Sequence, residues 1–219
     1  MKITVEDRIR EICPAMQIAL IRAKVINTPT SDELWSEISE ASQRIRDSYE
    51  LSWINKRPAI VATRNLYKRL GKDPNRYRVS SEALCRRVVK GMELYRIDTL
   101  VDLINLISMG SGYAIGGFDA DKIQGDEVRL GVGEAGEKFE GIGRGLLNIE
   151  GLPVYRDAVG GIGSPTSDEE RTKITLQTTR LQMQINAFGE EMPLTDTVKW
   201  TVGLLEKYAQ ATEFEIEIF

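Results

Sequence analysis

The stretch from Ile97 to Ile123 constrains the fold more than any other part of the chain, and it reads IDTLVDLINLISMGSGYAIGGFDADKI. Its first half predicts a helix with Asp98 as the N-cap. Apolar residues lie on almost every side of this helix: Leu100, Val101, Leu103, Ile104, Leu106 and Ile107. A helix with hardly any polar face is expected to be buried, with the rest of the chain packed around it.

Three polar residues interrupt this apolar helix. Asp102, Asn105 and Ser108 follow each other at intervals of three positions, which keeps them on one slowly drifting stripe. A buried carboxylate, amide and hydroxyl must each find a hydrogen-bond partner or line a wet pocket. The run from Tyr113 to Phe118 then predicts a strand interrupted by two adjacent glycines, against which another backbone or a ligand could lie closely.

Histidine is absent from the 219 residues, and Cys13 and Cys85 are the only cysteines. This composition excludes a histidine general base, a Ser-His-Asp triad and a Cys-His dyad. It also makes a transition-metal site improbable, so we expect neither a metal nor a cofactor. The acids of the opening MKITVEDRIREI argue against a signal peptide, and no apolar run has the length of a membrane span. We therefore predict a cytoplasmic protein with reduced thiols and no membrane partner.

Positive charge is concentrated between Lys56 and Arg96. This segment has twelve Lys and Arg residues and three acids, a local net charge of +9 in a chain whose total is −4. Tyr67, Tyr77 and Tyr95 are interleaved with the basic residues. The pattern fits a nucleic-acid-binding face, and it fits solvated helix faces equally well.

The remaining pattern places helices early and strands late. Predicted helices run from Thr30 or Ser31 to Tyr49, from Pro58 to Leu70, from Ser80 or Ser81 to Gly91, and from Leu194 to Tyr208. Predicted strands cover Lys2 to Glu6, Gln17 to Val25, Glu127 to Val132, Leu146 to Ile149, Leu152 to Tyr155, Lys173 to Thr179, and Thr212 to Phe219. Fifteen of the 19 glycines lie between Gly110 and Gly163, as is typical of turns and β structure. We predict an α+β fold in a single domain, residues 1–219.

Several motifs have simpler explanations than a function. The GxGxxG run that starts at Gly131 is followed by further glycines where a nucleotide-binding helix would be needed, so we interpret it as a turn. The Asp119-Ala-Asp121 sequence is interpreted as a turn and not as a divalent-ion site, with Asp119 either as a cap or as a hydrogen-bond acceptor near the pocket. The acidic run that begins at Asp168 is interpreted as solvated surface. Thr178, Thr179 and Arg180 either line a cleft at the end of a strand or form a solvated strand end.

Ordered motifs in this chain resemble the B3/B4 domain of the phenylalanyl-tRNA synthetase β subunit, which hydrolyses tyrosine wrongly attached to phenylalanine tRNA. They are YRVSSEALCRRVVKG, VDxxNxxS, FDADKI and TKITLQTTR, between Tyr77 and Arg180. The first and last of these look more like the free-standing form of the domain. The resemblance implies layered, β-sandwich-like sheets with flanking helices.

The resemblance also implies a site. In the family, the misacylated 3′ end enters a pocket lined by the region that matches Asn105, Ser108 and Gly116 to Asp119, and water attacks the ester without a covalent intermediate. On this basis Asn105, Gly116 and Gly117 are the candidate catalytic residues: Asn105 or Asp102 would hold the water, and the glycine N–H groups would bind the oxyanion. The candidate substrate-binding residues are Asp102, Ser108, Phe118, Asp119, Thr178, Thr179 and Arg180. The candidate tRNA-binding residues are Arg64, Arg78, Arg86 and Arg87.

Two departures from the family bear on its substrate. Family members commonly have a histidine where this chain has Gly116, and a glutamate in the loop that matches Gly161 to Ser164, where this chain has none. Both side chains help to select tyrosine. Our first hypothesis is therefore a free-standing hydrolase for another mischarged tRNA, and the alternative is a non-catalytic binding module for tRNA, an amino acid or an aminoacyl end. A third hypothesis is a protein-interaction domain that has kept only the scaffold.

Overall fold

The computed structural model describes residues 2–219 and shows a mixed fold of helices and strands. The helices are α1 Asp7–Ile12, α2 Asp32–Ser48, α3 Pro58–Arg69, α4 Ser80–Val89, α5 Thr99–Ser111 and α6 Leu194–Ala209. The strands are β1 Lys2–Val5, β2 Gln17–Lys24, β3 Ala114–Asp119, β4 Glu127–Val132, β5 Glu140–Gly141, β6 Gly145–Leu146, β7 Pro153–Arg156, β8 Gly161–Gly163, β9 Arg180–Ala187 and β10 Thr212–Ile218. Short 3₁₀ turns occur at Ile54–Lys56, Ala120–Lys122 and Glu170–Thr172.

Two four-stranded sheets organise the molecule. The central sheet has the antiparallel order β10-β2-β9-β3, and the outer sheet has the order β1-β4-β7-β8 with β1 parallel to β4. In the central sheet, Met183 of β9 pairs with Ile21 of β2 on one side and with Gly117 of β3 on the other. β3 is therefore an edge strand, whose outward N–H groups are available to other parts of the chain.

The central sheet lies between a helix layer and the outer sheet. On one face, side chains of β2 and β9 share a buried cluster with residues of α2, α5 and α6. On the other face, Ile18 and Phe118 pack against Leu130, Tyr155 and Ile162, which belong to the outer sheet. These layers confirm the predicted α+β class and its sandwich-like sheets with flanking helices.

Helix α5 follows the sequence prediction closely. The side chain of Asp98 accepts a hydrogen bond from Val101 N at 2.9 Å, as expected of an N-cap. The helix ends at Gly112, whose φ of 79° is left-handed and suits glycine. Leu103, Leu106 and Ile107 are at most 1% exposed, so the helix is buried as expected.

The structure differs from the predicted elements in several places. The predicted strand Leu146 to Ile149 is wrong, because only Gly145–Leu146 form a short strand there, β6. The stretch Lys173 to Thr179 is not a strand, and the strand β9 follows it instead. The helix α1 was not predicted from the sequence. Helix α4 begins at Ser80 without a side-chain cap, because the N-cap position is Val79 in extended conformation. The backbone of Ser80 is fixed by another contact, since its N–H donates to Pro165 O at 2.8 Å.

Candidate active site

A cavity of about 390 Å³ lies between α4, α5, β3 and the loops that follow β5 and β8. Its apolar walls are entirely aliphatic: Leu84, Ile97, Val101, Ile104, Ile115, Ile142 and Ile174. Its polar lining consists of Ser80, Asn105, Ser108, Ser164, Ser167, Asp168 and Lys173. A concave, mostly apolar space with a few convergent polar groups is the usual form of a small-molecule site.

Two of the three polar residues of α5 face this cavity. Ser108 donates its hydroxyl to Tyr113 O at 2.7 Å, so it closes the turn into β3 and its hydrogen is already used. The amide of Asn105 lines the cavity and has no hydrogen-bond partner within residues 2–219. Asn105 is therefore the polar group of α5 that is available to a ligand or a water molecule.

The third polar residue, Asp102, is brought to a different place. Its carboxylate accepts hydrogen bonds from the Thr30 hydroxyl and from Ile97 N, the latter at 3.1 Å to Oδ2. It is buried, and burial raises its pKa. Asp102 therefore fixes the entry of the chain into α5 and does not line the cavity.

Gly117 forms the floor of the cavity. A side chain at this position would contact Ile104 Cδ1 more closely than real Cβ atoms allow, and Ile174 Cδ1 at 3.1 Å. The N–H of Gly117 points away from β9 and donates to Oδ2 of Asp168 at 3.2 Å. Gly116 faces the outer sheet instead, where a Cβ would lie 2.9 Å from the ring of Phe118. The glycine pair thus has two different roles, one on each face of the sheet.

Asp168 is the acidic side chain that lines the cavity. Burial raises the pKa of its carboxyl group to about 7, although the hydrogen bond from Gly117 opposes this shift. A Cβ atom at position 163 would lie only 2.6 Å from Oδ1 of Asp168. The carboxyl group can therefore occupy this position only because residue 163 is glycine. The prediction that the acidic run is solvated is therefore wrong for Asp168.

The loop that holds Asp168 is fixed at several points. Ser164 and Ser167 bond each other, with the Ser164 hydroxyl donating to Ser167 O at 3.1 Å. Thr166 and the buried hydroxyl of Tyr67 lie 2.9 Å apart, which ties the loop to α3. The carbonyl of Asp168 itself accepts from Ile142 N at 3.1 Å. The carboxyl group is therefore held by a rigid turn.

Lys173 supplies the one cation that lines the cavity. It is half-buried, and its ammonium group pairs with Glu170. Glu169 caps the neighbouring turn by accepting from Arg171 N at 2.7 Å. Of the three consecutive acids, then, only Asp168 faces the cavity.

The family model described as the B3/4 domain matches residues 62–194, which is more than half of the chain. The chain belongs to the B3/4 domain family. The solved structure of an N-terminal fragment of the phenylalanyl-tRNA synthetase β subunit from Pyrococcus horikoshii is similar at 13% identity and a TM-score of 0.45. That similarity covers 99% of this chain and 50% of the fragment, so the chain spans half of the fragment's length. No curated protein matches the chain.

The B3/4 domain does not bring all predicted substrate contacts to the cavity. Phe118 is buried between the sheets, and Asp119 caps a 3₁₀ turn by accepting from Asp121 N at 3.1 Å. Thr178 is buried and donates to Asp119 Oδ2 at 2.9 Å. Thr179 is exposed, and Arg180 forms an exposed ion pair with Asp121. These residues make a structural cluster at the end of β3.

The four predicted tRNA-binding arginines differ in their exposure to solvent. Arg64 is 8% exposed, and its guanidinium donates hydrogen bonds of 2.8 Å to the side chains of Glu82 and Asn75. It therefore stabilises the interior and is not available to RNA. Arg78 is exposed, and Arg86 and Arg87 are partly exposed on α4. The basic face is therefore smaller than the charge count of the sequence indicates.

The described part of the chain, residues 2–219, contains no group of three or more His, Cys, Asp or Glu residues that could hold a metal ion. Within the same residues, none of the helices combines the length and hydropathy needed to span a membrane. Sequence reasoning missed Asp168 as a site residue. The available signal was the pair of glycines Gly116 and Gly163, each in a short strand, which marks a close approach of another group.

Proposed function

We propose that this B3/4 domain is a free-standing hydrolase that removes an amino acid from a mischarged tRNA by water attack on the aminoacyl ester. The observation that carries the proposal is the Asp168 carboxyl group, which lines a partly open cavity with aliphatic walls and whose pKa is raised by burial to about 7. A general base works best when its pKa is near the working pH. In a chain without histidine, Asp168 meets that requirement.

The proposed reaction needs two side chains from this chain, Asp168 and Asn105, and one water molecule. Asp168 in its ionised form takes a proton from water while the water oxygen bonds to the carbonyl carbon. The Nδ2 group of Asn105 donates a hydrogen bond to the carbonyl oxygen as negative charge develops there. When the C–O ester bond breaks, the leaving 3′ oxygen of the ribose takes the proton from Asp168. The products are the free amino acid and the deacylated tRNA.

The rest of the cavity supports this chemistry by shape. Ile104, Ile115 and Ile174 form an apolar wall of the cavity. This wall would contact the side chain of the amino acid and exclude bulk water from it. A low-dielectric wall also strengthens the hydrogen bonds made to the transition state. The aliphatic lining fits an apolar aminoacyl group.

The test is deacylation of a panel of mischarged tRNAs at several pH values. We expect hydrolysis of one or a few species, with a rate that rises as the pH passes 7 because ionised Asp168 is the active form. Asp168→Asn should lower the rate by about 10²–10⁴, the usual contribution of a general base. The neighbouring substitution Glu169→Gln is the matched control, because its side chain caps a turn outside the cavity.

The second candidate function is a binding module without turnover, and one observation favours it. The Gly117 N–H, which was predicted to bind the oxyanion, is already used by Asp168. The same panel separates the two functions. Binding of an amino acid or tRNA that is weakened by Asn105→Leu, with no turnover on any species at any pH, would support the binding module and rule out the hydrolase.

We also propose that residues 1–219 act as one B3/4 unit. The family match ends before β10 and begins after β2, yet both strands belong to the central sheet together with β3 and β9. A protein that lacks β10 should therefore be less stable, because β2 would lose the strand that it pairs with at this edge of the sheet. The cytoplasmic location stays a prediction from the sequence.

A further inference from the structure

An exposed cation–aromatic pair lies on the basic segment beside the cavity. The guanidinium of Arg87 sits 4.3 Å from the centre of the Tyr95 ring, and its Nε donates to Glu93 O at 2.6 Å. Tyr95 is 69% exposed, so the ring face opposite Arg87 is open to solvent. Arg87 therefore contacts one face of the Tyr95 ring and leaves the opposite face exposed.

The helix α4 places Arg87 on the side of the cavity. Ser80 and Leu84 of α4 both line the cavity, and Arg87 follows them at the spacing i, i+4, i+7. Residues at these positions share one face of a helix. Arg87 is therefore the next side chain along the face that forms the cavity wall.

The segment after α4 places Tyr95 on the same side. Leu94 and Arg96 point toward α2, where Leu94 lines a groove with Trp35 and the Arg96 guanidinium lies 5.7 Å from the Trp35 ring centre. Ile97 lines the cavity, and Tyr95, two residues before it, contacts Arg87, the next side chain along the α4 face that forms the cavity wall.

We propose that Tyr95 and Arg87 form the platform for the unpaired 3′-terminal nucleotide of an RNA whose aminoacyl group occupies the cavity. The base stacks on the open face of Tyr95, and the remaining N–H groups of Arg87 bind the adjoining phosphate. Ile97 and Ile142, which are 56% and 42% exposed, give an apolar edge between the platform and the cavity. This inference rests on the proposed function for the aminoacyl group, but the binding of the RNA end is a separate property.

The charge of the surrounding segment favours RNA as the occupant. Arg57, Arg64 and Lys72 of the basic segment are buried, but Arg78 and Lys90 are exposed and Arg86 is partly exposed around Arg87, with Lys90 directly after α4. Base–aromatic stacking tolerates any base, so this platform would read the presence of an unpaired end and not its sequence. Selection of the aminoacyl group would remain with the cavity.

The binding test uses a short RNA hairpin with an unpaired 3′ end and the same hairpin with a blunt end, both fluorescently labelled. We expect the overhang to bind more tightly, and Tyr95→Ala to weaken its binding by about tenfold. Arg87→Gln should weaken binding and reduce its dependence on salt. Trp53→Ala is the matched control, because Trp53 is 55% exposed beside Lys56 but does not line the cavity. Equal affinity for the two hairpins, or equal losses in Tyr95→Ala and Trp53→Ala, would overturn the proposal.

A kinetic test separates this inference from the proposed function. On aminoacyl-RNA, Tyr95→Ala should raise KM about tenfold with a smaller effect on kcat, whereas Asp168→Asn should lower kcat. Hydrolysis of aminoacyl-RNA with the same KM in wild type and Tyr95→Ala would refute the platform and leave the hydrolase intact. Absence of hydrolysis with preferential binding of the unpaired end would refute the hydrolase and leave the platform intact. Tyr95 is exposed, so its variants should fold, and thermal unfolding verifies this.

Discussion

The two faces of the central sheet are both buried, but their chemistry is opposite. On the face that meets the helices, β9 presents Leu181, Met183 and Ile185, each at most 1% exposed. On the face that meets the outer sheet, the same strand presents Gln182, Gln184 and Asn186, each at most 2% exposed. The two faces of β9 are thus equally buried, but one is apolar and the other is polar.

The polar face is only partly satisfied by the protein. Asn186 bonds the Tyr155 hydroxyl at 2.6 Å and Ala114 O at 2.9 Å. Gln184 has no hydrogen-bond partner for either amide atom within residues 2–219. It pairs across the ladder with Gly116, on the face where Oδ1 of Asp168 approaches. The helix face is built for stability, whereas the polar face belongs to the region that positions Asp168.

The largest effect should come from the helix face. Ile185→Ala removes a fully buried side chain that lies between Ala19 and Ile115 in the sheet. We expect the free energy of unfolding to fall by about 2–5 kcal/mol, the usual range for such a truncation. Denaturant unfolding measures it, with Ile185→Val as the milder comparison at about 0.5–1.5 kcal/mol. A loss below 1 kcal/mol for alanine would contradict the division between the faces.

The next effect concerns Asp168 and pH. Its pKa rises from an ordinary value of 3.8 to about 7 on folding, so the folded state holds the proton more tightly than the unfolded state. The stabilisation that Asp168 contributes should therefore be complete below the unfolded pKa and be lost as the pH rises through about 7, by about 4 kcal/mol in all for this rise in pKa. Asp168→Asn should remove this fall and be more stable than wild type above neutral pH. Unfolding curves at several pH values check this, and a stability that rises with pH through this window would contradict the buried acid.

A smaller effect, of opposite sign, is expected from the unpaired amide. Gln184→Leu replaces it with an apolar side chain of similar size, and we expect stability to be unchanged or to rise by about 1 kcal/mol. Gln182→Leu should instead be destabilising, because Oε1 of Gln182 accepts from Arg22 Nε at 2.9 Å. Denaturant unfolding of both variants compares a hydrogen-bonded amide with an unpaired amide on the same face of β9. A marked loss of stability in Gln184→Leu would show that its amide is satisfied by internal water.

The smallest effect should be found at the exposed end of β9. Arg180→Gln breaks an ion pair with Asp121 in which both side chains are about half exposed. Exposed pairs contribute little, so we expect a change within about 0.5 kcal/mol. A larger loss would indicate that the cluster at the end of β3 contributes more to the fold than its exposure indicates.

The sequence predicted the elements that have a strong local signal. Asp98 as the cap of α5 and the strand β10 were predicted from a few neighbouring residues, and the structure confirms both elements. The half-buried face that the alternation in β10 implies is wrong, because Ile216 and Ile218 are exposed. β9 was missed although its alternation of apolar and polar residues is a local strand signal; what that alternation could not show is that its glutamine and asparagine face is also buried. The Ile- and Thr-rich stretch before it has strand propensity but is irregular, since Thr178 bonds Asp119 and Thr175 and forms a turn.

The candidate site was predictable to a similar degree. Asn105 and Gly117 stood out because a polar residue in an apolar helix and a glycine in a strand are local anomalies, and both line the cavity. Asp168 could not be recognised in this way, because it lies in a run of acids in a loop. Its burial depends on Gly163 and Gly117, which are distant from each other in sequence, so only the tertiary fold distinguishes it from Glu169 and Glu170.

The order of strands in the central sheet has a consequence for how the chain folds as it is synthesised. β2 is made early, but both of its neighbours come late: Gln17 pairs with Ala187, and Ala19 pairs with Ile218. Until those residues leave the ribosome, the apolar segment of β2 has no partner and its edges are open. Sheets built from such distant pairings form slowly and expose aggregation-prone surface. We therefore expect the nascent chain to depend on chaperones, and folding to be completed only after β10 emerges.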